Sequence, residues 1–192
     1  MTQTTTVQSP TLRREAGPDQ PEDPSKRAVR IGMPVGEDGA DVHALIAACP
    51  PLDENSLYAN LLQCTDFRGT CAAARIDGAL LGWVSGYIPP EAGDTYFLWQ
   101  VAVHEKARGR KLARQLVSDI LGRPACRNVK YIKTTITPDN EASWALFRSI
   151  ARWLDAPLNE APHFDRDKHF GGQHASEIMV TIGPFDRPAA AN

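Results

Sequence analysis

The chain has 192 residues, 42% hydrophobic and 23% charged, a balance that suits one soluble α/β domain with a sizeable core. A formal net charge of -2 lacks the basic footprint of a nucleic-acid or anionic-membrane binder. No apolar run approaches the roughly 18 residues of a membrane span, the N-terminus lacks a secretory apolar stretch, and Cys49, Cys64, Cys71 and Cys126 form no C-x-x-C pair, so a cytoplasmic protein with reduced, packed thiols is expected.

Residues 1–27, with Pro10, Pro18, Pro21 and Pro24 among polar neighbours, read as a disordered tail, and residues 184–192 read the same way. One domain over 28–183 is left between them, without internal repeat or long linker. Val29–Ile31 is a short strand and Asp41–Cys49 an amphipathic helix with Val42, Leu45 and Ile46 on one face. In PPLDENSLYANLLQC, Asp53, Asn55 and Ser56 are all suitable N-caps for a second helix that runs to about Cys64. Strands Thr70–Arg75 and Leu80–Tyr87 flank Asp77-Gly78, a strong hairpin-turn signal. A third strand, Thr95–Val103, is followed by a helix from about Gly109 to Leu121. The chain then continues with a strand over Val129–Ile136, a helix from Pro138-Asp139-Asn140 to Trp153, and a last strand, Ile178–Ile182. The segment FDRDKHFGGQH (164–174) reads as a loop long enough to cover a small pocket, with glycines that let it move.

The run WQVAVHEKARGRKLARQLV (99–117) reads as a strand, a basic turn and a helix start. Unpaired N–H groups and the positive end of the helix dipole make such a turn a cradle for a pyrophosphate. Dinucleotide folds place a turn with several glycines in the first βα unit. Here the turn lies past mid-chain and has one glycine, which points to coenzyme A over a nicotinamide. A solvated basic helix start is the plainer reading of the same residues.

The order of strand, two helices, three strands, helix, strand, helix and strand resembles the GNAT acetyltransferase superfamily. That resemblance implies an α/β fold with a mixed central sheet, a splayed strand pair and flanking helices. Members carry Arg/Gln-x-x-Gly-x-Gly/Ala at the cofactor turn, and this chain has Arg108-Gly109-Arg110-Lys111-Leu112-Ala113. Lys111 replaces the central glycine, so a slightly looser turn with added charge is expected. The resemblance also implies cofactor contacts from the Val101 and Val103 backbone, from Asn140, and from Phe147, where many members have a tyrosine that protonates the leaving thiolate. Phenylalanine has no such proton, and Tyr58, Tyr87 or a water could take its place.

PPLDENSLY (50–58), FLWQVAV (97–103), TTITPDNEASWALF (134–147) and FDRDKHFGGQHASE (164–177) resemble, more narrowly, the L-2,4-diaminobutyrate acetyltransferases of ectoine biosynthesis. The likeness implies transfer of an acetyl group from acetyl-CoA to the 4-amino group of L-2,4-diaminobutyrate, with no metal, in a homodimer whose interface could draw on Trp153, Phe164 and Phe170. By the same analogy Glu177, directly or through a water, accepts the ammonium proton, and Asp53 holds an ammonium. Trp99 walls the aliphatic chain, His174 binds the substrate carboxylate or orients Glu177, and Tyr58 lies with them at the substrate. Read without the resemblance, Asp53 is a helix cap, Trp99 a core residue and His174 a surface residue. Two other readings remain open: another amine such as ornithine, a polyamine or a protein lysine, and a metal-binding regulatory site built from His163, Asp165, Asp167, His169, His174 and Glu177.

Overall fold

The computed structural model describes residues 28–186; the expected tail 1–27 and residues 187–192 of the expected C-terminal tail lie outside the described residues. Among the described residues, seven strands form one sheet in the order β1-β2-β3-β4-β5-β7-β6. They are β1 (Val29–Gly32), β2 (Ala72–Ile76), β3 (Ala79–Tyr87), β4 (Thr95–Val103), β5 (Tyr131–Ile136), β6 (Leu158–Phe164) and β7 (Glu177–Ile182). Neighbours are antiparallel except β4 and β5. The helices are α1 (Gly39–Ala47), α2 (Leu57–Cys64), α3 (Leu112–Gly122), α4 (Glu141–Trp153) and α5 (Arg166–Phe170). Among the described residues, no helix is long and apolar enough to cross a membrane.

Each face of the sheet buries its own core. Leu112, Leu116, Val117 and Ile120 of α3 and Trp144, Phe147 and Ile150 of α4 pack with Val84, Leu98, Ile132 and Val180. Val42, Leu45 and Ile46 of α1, the face expected from the sequence, pack with Cys64, Ala73, Trp83 and Ala102 on the other side. All four cysteines are buried. Desolvation pushes the Cys71 thiol up to about 12 and the Cys64 thiol up to about 11.

Asp77 and Gly78 have φ of 52° and 84°, the pair of positive values that a two-residue I′ hairpin requires. In β4 the register against β3 steps from Ser85–Gln100 to Gly86–Leu98, leaving Trp99 as an extra residue in a β-bulge. The bulge reverses the alternation. Tyr96 and Leu98 face the α3/α4 core, whereas beyond it Ala102 faces the α1/α2 core. Gly86 opposite permits the close approach, since a Cβ there would lie 2.4 Å from the Tyr96 ring and 2.5 Å from the Phe97 carbonyl.

The splayed pair is present. β4 and β5 pair at Thr95–Tyr131, Tyr96–Ile132 and Phe97–Lys133 and then separate, so residues 99–103 lose a neighbour on that side.

Several expectations need correction. The helix expected from Gly109 begins at Leu112, because Gly109 (φ 78°) and Lys111 (φ 56°) both take the left-handed conformation, which helix geometry excludes. The turn is therefore strained at Lys111 instead of loosened. Lys111→Gly is expected to raise stability by about 0.5–1 kcal/mol, the net of the αL penalty and the entropy of glycine; a fall in the urea midpoint on that substitution would refute this account. Residues 158–164, for which no element was expected, form the edge strand β6, and part of the expected 164–174 loop is the short helix α5. The expected boundary at 183 falls too early, since Phe185 is buried in the α3/α4 core.

Candidate active site

The α1–α2 connection, the bulged half of β4, the start of α4 and the β6–α5–β7 arm enclose a cleft of about 1130 Å³ that reaches into the β4–β5 gap. Its lining includes Asp53, Trp99, His174 and Glu177, brought together from three separate parts of the chain.

Asp53 is not the helix cap. Ser56 fills that position, its Oγ accepting from Ala59 N–H at 3.1 Å. The Asp53 carboxylate is 80% exposed and lies beside His174, with 3.4 Å between Oδ2 and Nε2. Trp99 is not a core residue either: the bulge turns it out, 48% exposed, into the cleft. Glu177 is the first residue of β7, opposite Phe164 on β6, where His163 is the extra residue of a second bulge.

His174 precedes β7, and its Nδ1 lies 2.8 Å from the Ala175 carbonyl. A carbonyl only accepts, so Nδ1 carries a hydrogen. In the neutral ring Nε2 is then an acceptor facing the Asp53 carboxylate, another acceptor. The pair is satisfied by a proton on Nε2 or by a cation brought from outside. The Ala175 carbonyl first, then the Asp53 and Glu177 charges, push the His174 imidazole above its ordinary value. Phe170 packs against the same ring with 4.7 Å between centroids.

The covering arm is braced by its own side chains. Asp165 caps α5, accepting from Asp167 and Lys168 N–H at 3.0 and 2.9 Å. Those two bonds hold its carboxyl below the usual range. His169 Nδ1 accepts from Asp165 N–H at 2.7 Å, and Arg166 N–H donates to Ser176 Oγ at 2.9 Å. Two residues of the alternative metal reading are thus occupied in shaping a turn. Among the described residues no three His, Cys, Asp or Glu side chains are grouped to hold a metal ion.

On the other side, Val101, Val103, Arg108, Ala113, Asn140 and Phe147 line the cleft where β5 has left β4. Asn140 caps α4, its Oδ1 accepting from Ser143 N–H at 3.0 Å. Leu112 is 2% exposed, so its side chain is core and its backbone alone could meet a ligand. Gly109, Arg110 and Lys111 form the left-handed turn before α3 without lining the cleft. The unpaired strand, the α3 N-terminus and Arg108 fit a linear thioester with a pyrophosphate: backbone for the amide-bearing arm, helix N–H groups and a guanidinium for the charge.

Tyr58 is not brought to the site. It is 69% exposed on α2, outside the lining, whereas Tyr87 is part of it, its ring 5.2 Å from Phe97. Phe164 and Phe170, expected at a dimer interface, and His163, named only in the alternative metal reading, also line it. Their aromatic spacing around the glycine pair was the available signal.

Residues 40–151 match the model of the acetyltransferase (GNAT) family. The chain is 50% identical over 157 residues to an L-2,4-diaminobutyric acid acetyltransferase of Methylotuvimicrobium alcaliphilum, covering 82% of this chain and 91% of that protein. It is 52% identical over 163 residues to the protein of the same name from Chromohalobacter salexigens, covering 84% of each. Among solved structures, the diaminobutyrate acetyltransferase EctA from Paenibacillus lautus, in complex with its substrate L-2,4-diaminobutyric acid and coenzyme A, superposes with a TM-score of 0.79. Its identity is 31%, over 85% of this chain and 99% of that one. The ribosomal-protein-S18-alanine N-acetyltransferase of Escherichia coli, at TM-score 0.59 and 13% identity, shares the fold.

Proposed function

This chain belongs to the acetyltransferase (GNAT) family and, within it, to the L-2,4-diaminobutyric acid acetyltransferases, and we propose that it transfers the acetyl group of acetyl-CoA to the 4-amino group of L-2,4-diaminobutyrate. The product supplies ectoine, an osmolyte. The observation that carries this reading is the convergence of Asp53, Trp99, His174 and Glu177 on one cleft that runs into the β4–β5 gap.

An alkyl ammonium of pKa near 10 is neutral about one time in 10³ at pH 7, a penalty of about 4 kcal/mol that the site must offset. Glu177 accepts the proton of the 4-ammonium, directly or through one water. Asp53 attracts the substrate's other ammonium, and that cation resolves the opposed acceptors of Asp53 and His174. Trp99 lies along the short methylene chain, and His174 orients Glu177 or the substrate carboxylate. Acetyl-CoA supplies the activated acyl group. The Val101 N–H polarises its carbonyl, an oxyanion-type contribution. Arg108 and the α3 N-terminus hold the pyrophosphate, and Asn140 and Phe147 border the thiol end. A thiolate of pKa near 8.5 leaves without a strong acid, and Tyr87 or a water supplies its proton. The setting is the cytoplasm and the enzyme is a homodimer; the exposed Leu57, Tyr58 and Leu61 on α2 support the pairing of two copies.

Thiol release from acetyl-CoA, followed in parallel with L-2,4-diaminobutyrate, ornithine, lysine and a polyamine, tests this. Fast release with diaminobutyrate and NMR assignment of the acetyl group to the 4-nitrogen is the expected result. Preference for another amine would overturn the substrate and keep the fold.

A further inference from the structure

Gln100 is 8% exposed in the middle of β4, between the bulged Trp99 and Val101. Burying a primary amide requires partners at both ends, and Gln100 has them in one short stretch of chain. Its Nε2 donates to the Asp53 carbonyl at 2.7 Å, and its Oε1 accepts from Asn55 Nδ2 at 2.6 Å. Among the described residues, no backbone-to-backbone hydrogen bond is made by Asp53, Glu54 or Asn55. The stretch between the Leu52 N–H bond to Cys49 and the Ser56 cap is thus tied to the sheet through Gln100.

The bulge is what makes this reach available. In a regular strand, with Trp99 paired like its neighbours, Gln100 would continue the alternation of Tyr96 and Leu98 into the α3/α4 core; the bulge at Trp99 instead puts Gln100 on the α1/α2 side with Ala102. Gln100 itself borders the cleft, as do its chain neighbours Trp99 and Val101 and its partner Asn55. One residue therefore links the strand that borders the acyl donor to the loop that carries Asp53.

We propose that Gln100 is a positioning residue that sets the distance between the Asp53 carboxylate and the acetyl-transfer point, and thereby the length of diamine the site accepts. The inference rests on the reading of Asp53 as the ammonium partner. Sub-ångström looseness in that loop weakens the alignment of Asp53 with the acetyl-transfer point. A diamine one methylene longer then loses less than diaminobutyrate does, because the fixed span no longer discriminates.

The test compares Gln100→Leu, nearly isosteric and without the amide, with Gln100→Glu, Asn55→Ala and Asp53→Asn, measuring KM for diaminobutyrate, KM for acetyl-CoA, kcat and the diaminobutyrate-to-ornithine ratio of kcat/KM. Expected for Gln100→Leu is a KM for diaminobutyrate at least 10-fold higher, a KM for acetyl-CoA within 2-fold, and a ratio reduced at least 5-fold. Asn55→Ala moves the same quantities the same way by less, and the double variant with Gln100→Leu is no worse than Gln100→Leu alone. Gln100→Glu keeps the bond from Asn55 and gives intermediate values. Equal losses for both substrates' KM, or an unchanged ratio in Gln100→Leu and Asn55→Ala, would overturn the proposal. If Asp53→Asn leaves the KM for diaminobutyrate unmoved, the underlying reading of Asp53 fails instead. If Gln100→Leu does not fold, Asn55→Ala on the more exposed partner decides the matter by the same ratio.

Discussion

Glu177→Gln is expected to lower kcat by about 10²- to 10⁴-fold, the usual contribution of a placed general base, with binding of acetyl-CoA unchanged. Glutamine keeps the shape and the β7 start opposite Phe164, so the loss isolates proton acceptance from packing. A second signature separates this from a fold defect. As pH rises toward the amine's own pKa, solution supplies the neutral nucleophile, so the variant's rate climbs about tenfold per unit while the native enzyme levels off above the pH where its base is ionised. Turnover near that of the native chain at neutral pH would remove Glu177 from the proton path and direct attention to a water held elsewhere in the cleft.

Asp53→Asn is expected to act on binding more than on chemistry. Loss of a charge-assisted bond to an ammonium is worth about 1.5–3 kcal/mol, which corresponds to a KM for diaminobutyrate raised about 10- to 100-fold. Helix stability should be nearly untouched, since Ser56 caps α2. The same substitution has an independent readout at His174. Asp53 is one of the groups that raise the imidazole's pKa, so removing its charge disfavours the imidazolium and moves the titration to lower pH. NMR titration of the His174 ring should show that downward shift, though not a full return, because the Ala175 carbonyl and Glu177 remain. A full native KM together with an unmoved His174 would mean that the 3.4 Å contact has no part in recognition.

How much of this could be read in the sequence varied with the physics behind each signal. Asp77-Gly78 was legible because positive φ at two successive residues narrows the choice to a few residue types. The α1 face was legible because Val42, Leu45 and Ile46 repeat at helical spacing. The β4 bulge was not, since Thr95–Val103 still looks like an alternating strand when one residue is inserted and the faces exchange. That hidden inversion decides both that Trp99 is exposed and that Gln100 reaches Asp53. β6 escaped notice because LNEAPHF is an edge strand, exposed along most of its length and interrupted by Pro162, so it lacks the apolar alternation of a half-buried strand. For the cap of α2, Asp53, Asn55 and Ser56 were locally equivalent. The choice of Ser56 comes with Gln100 drawing the preceding residues onto β4. Tyr58 was grouped with the site through its neighbours in a shared string, but its position on α2 sends it to the surface.

The burial of all four thiols bears on how breathing of the fold can be followed. Cys126 belongs to the core under α3 and α4, whereas Cys49, Cys64 and Cys71 belong to the core under α1 and α2. Cys49 borders the cleft, whereas a disulfide reagent meets the Cys64, Cys71 and Cys126 thiolates only after local opening, so the rate at which each of these three is trapped in the native protein reports the opening free energy of its own layer. The chain thus carries built-in probes on both sides of its sheet, able to tell whether a bound diamine or thioester steadies one layer or both.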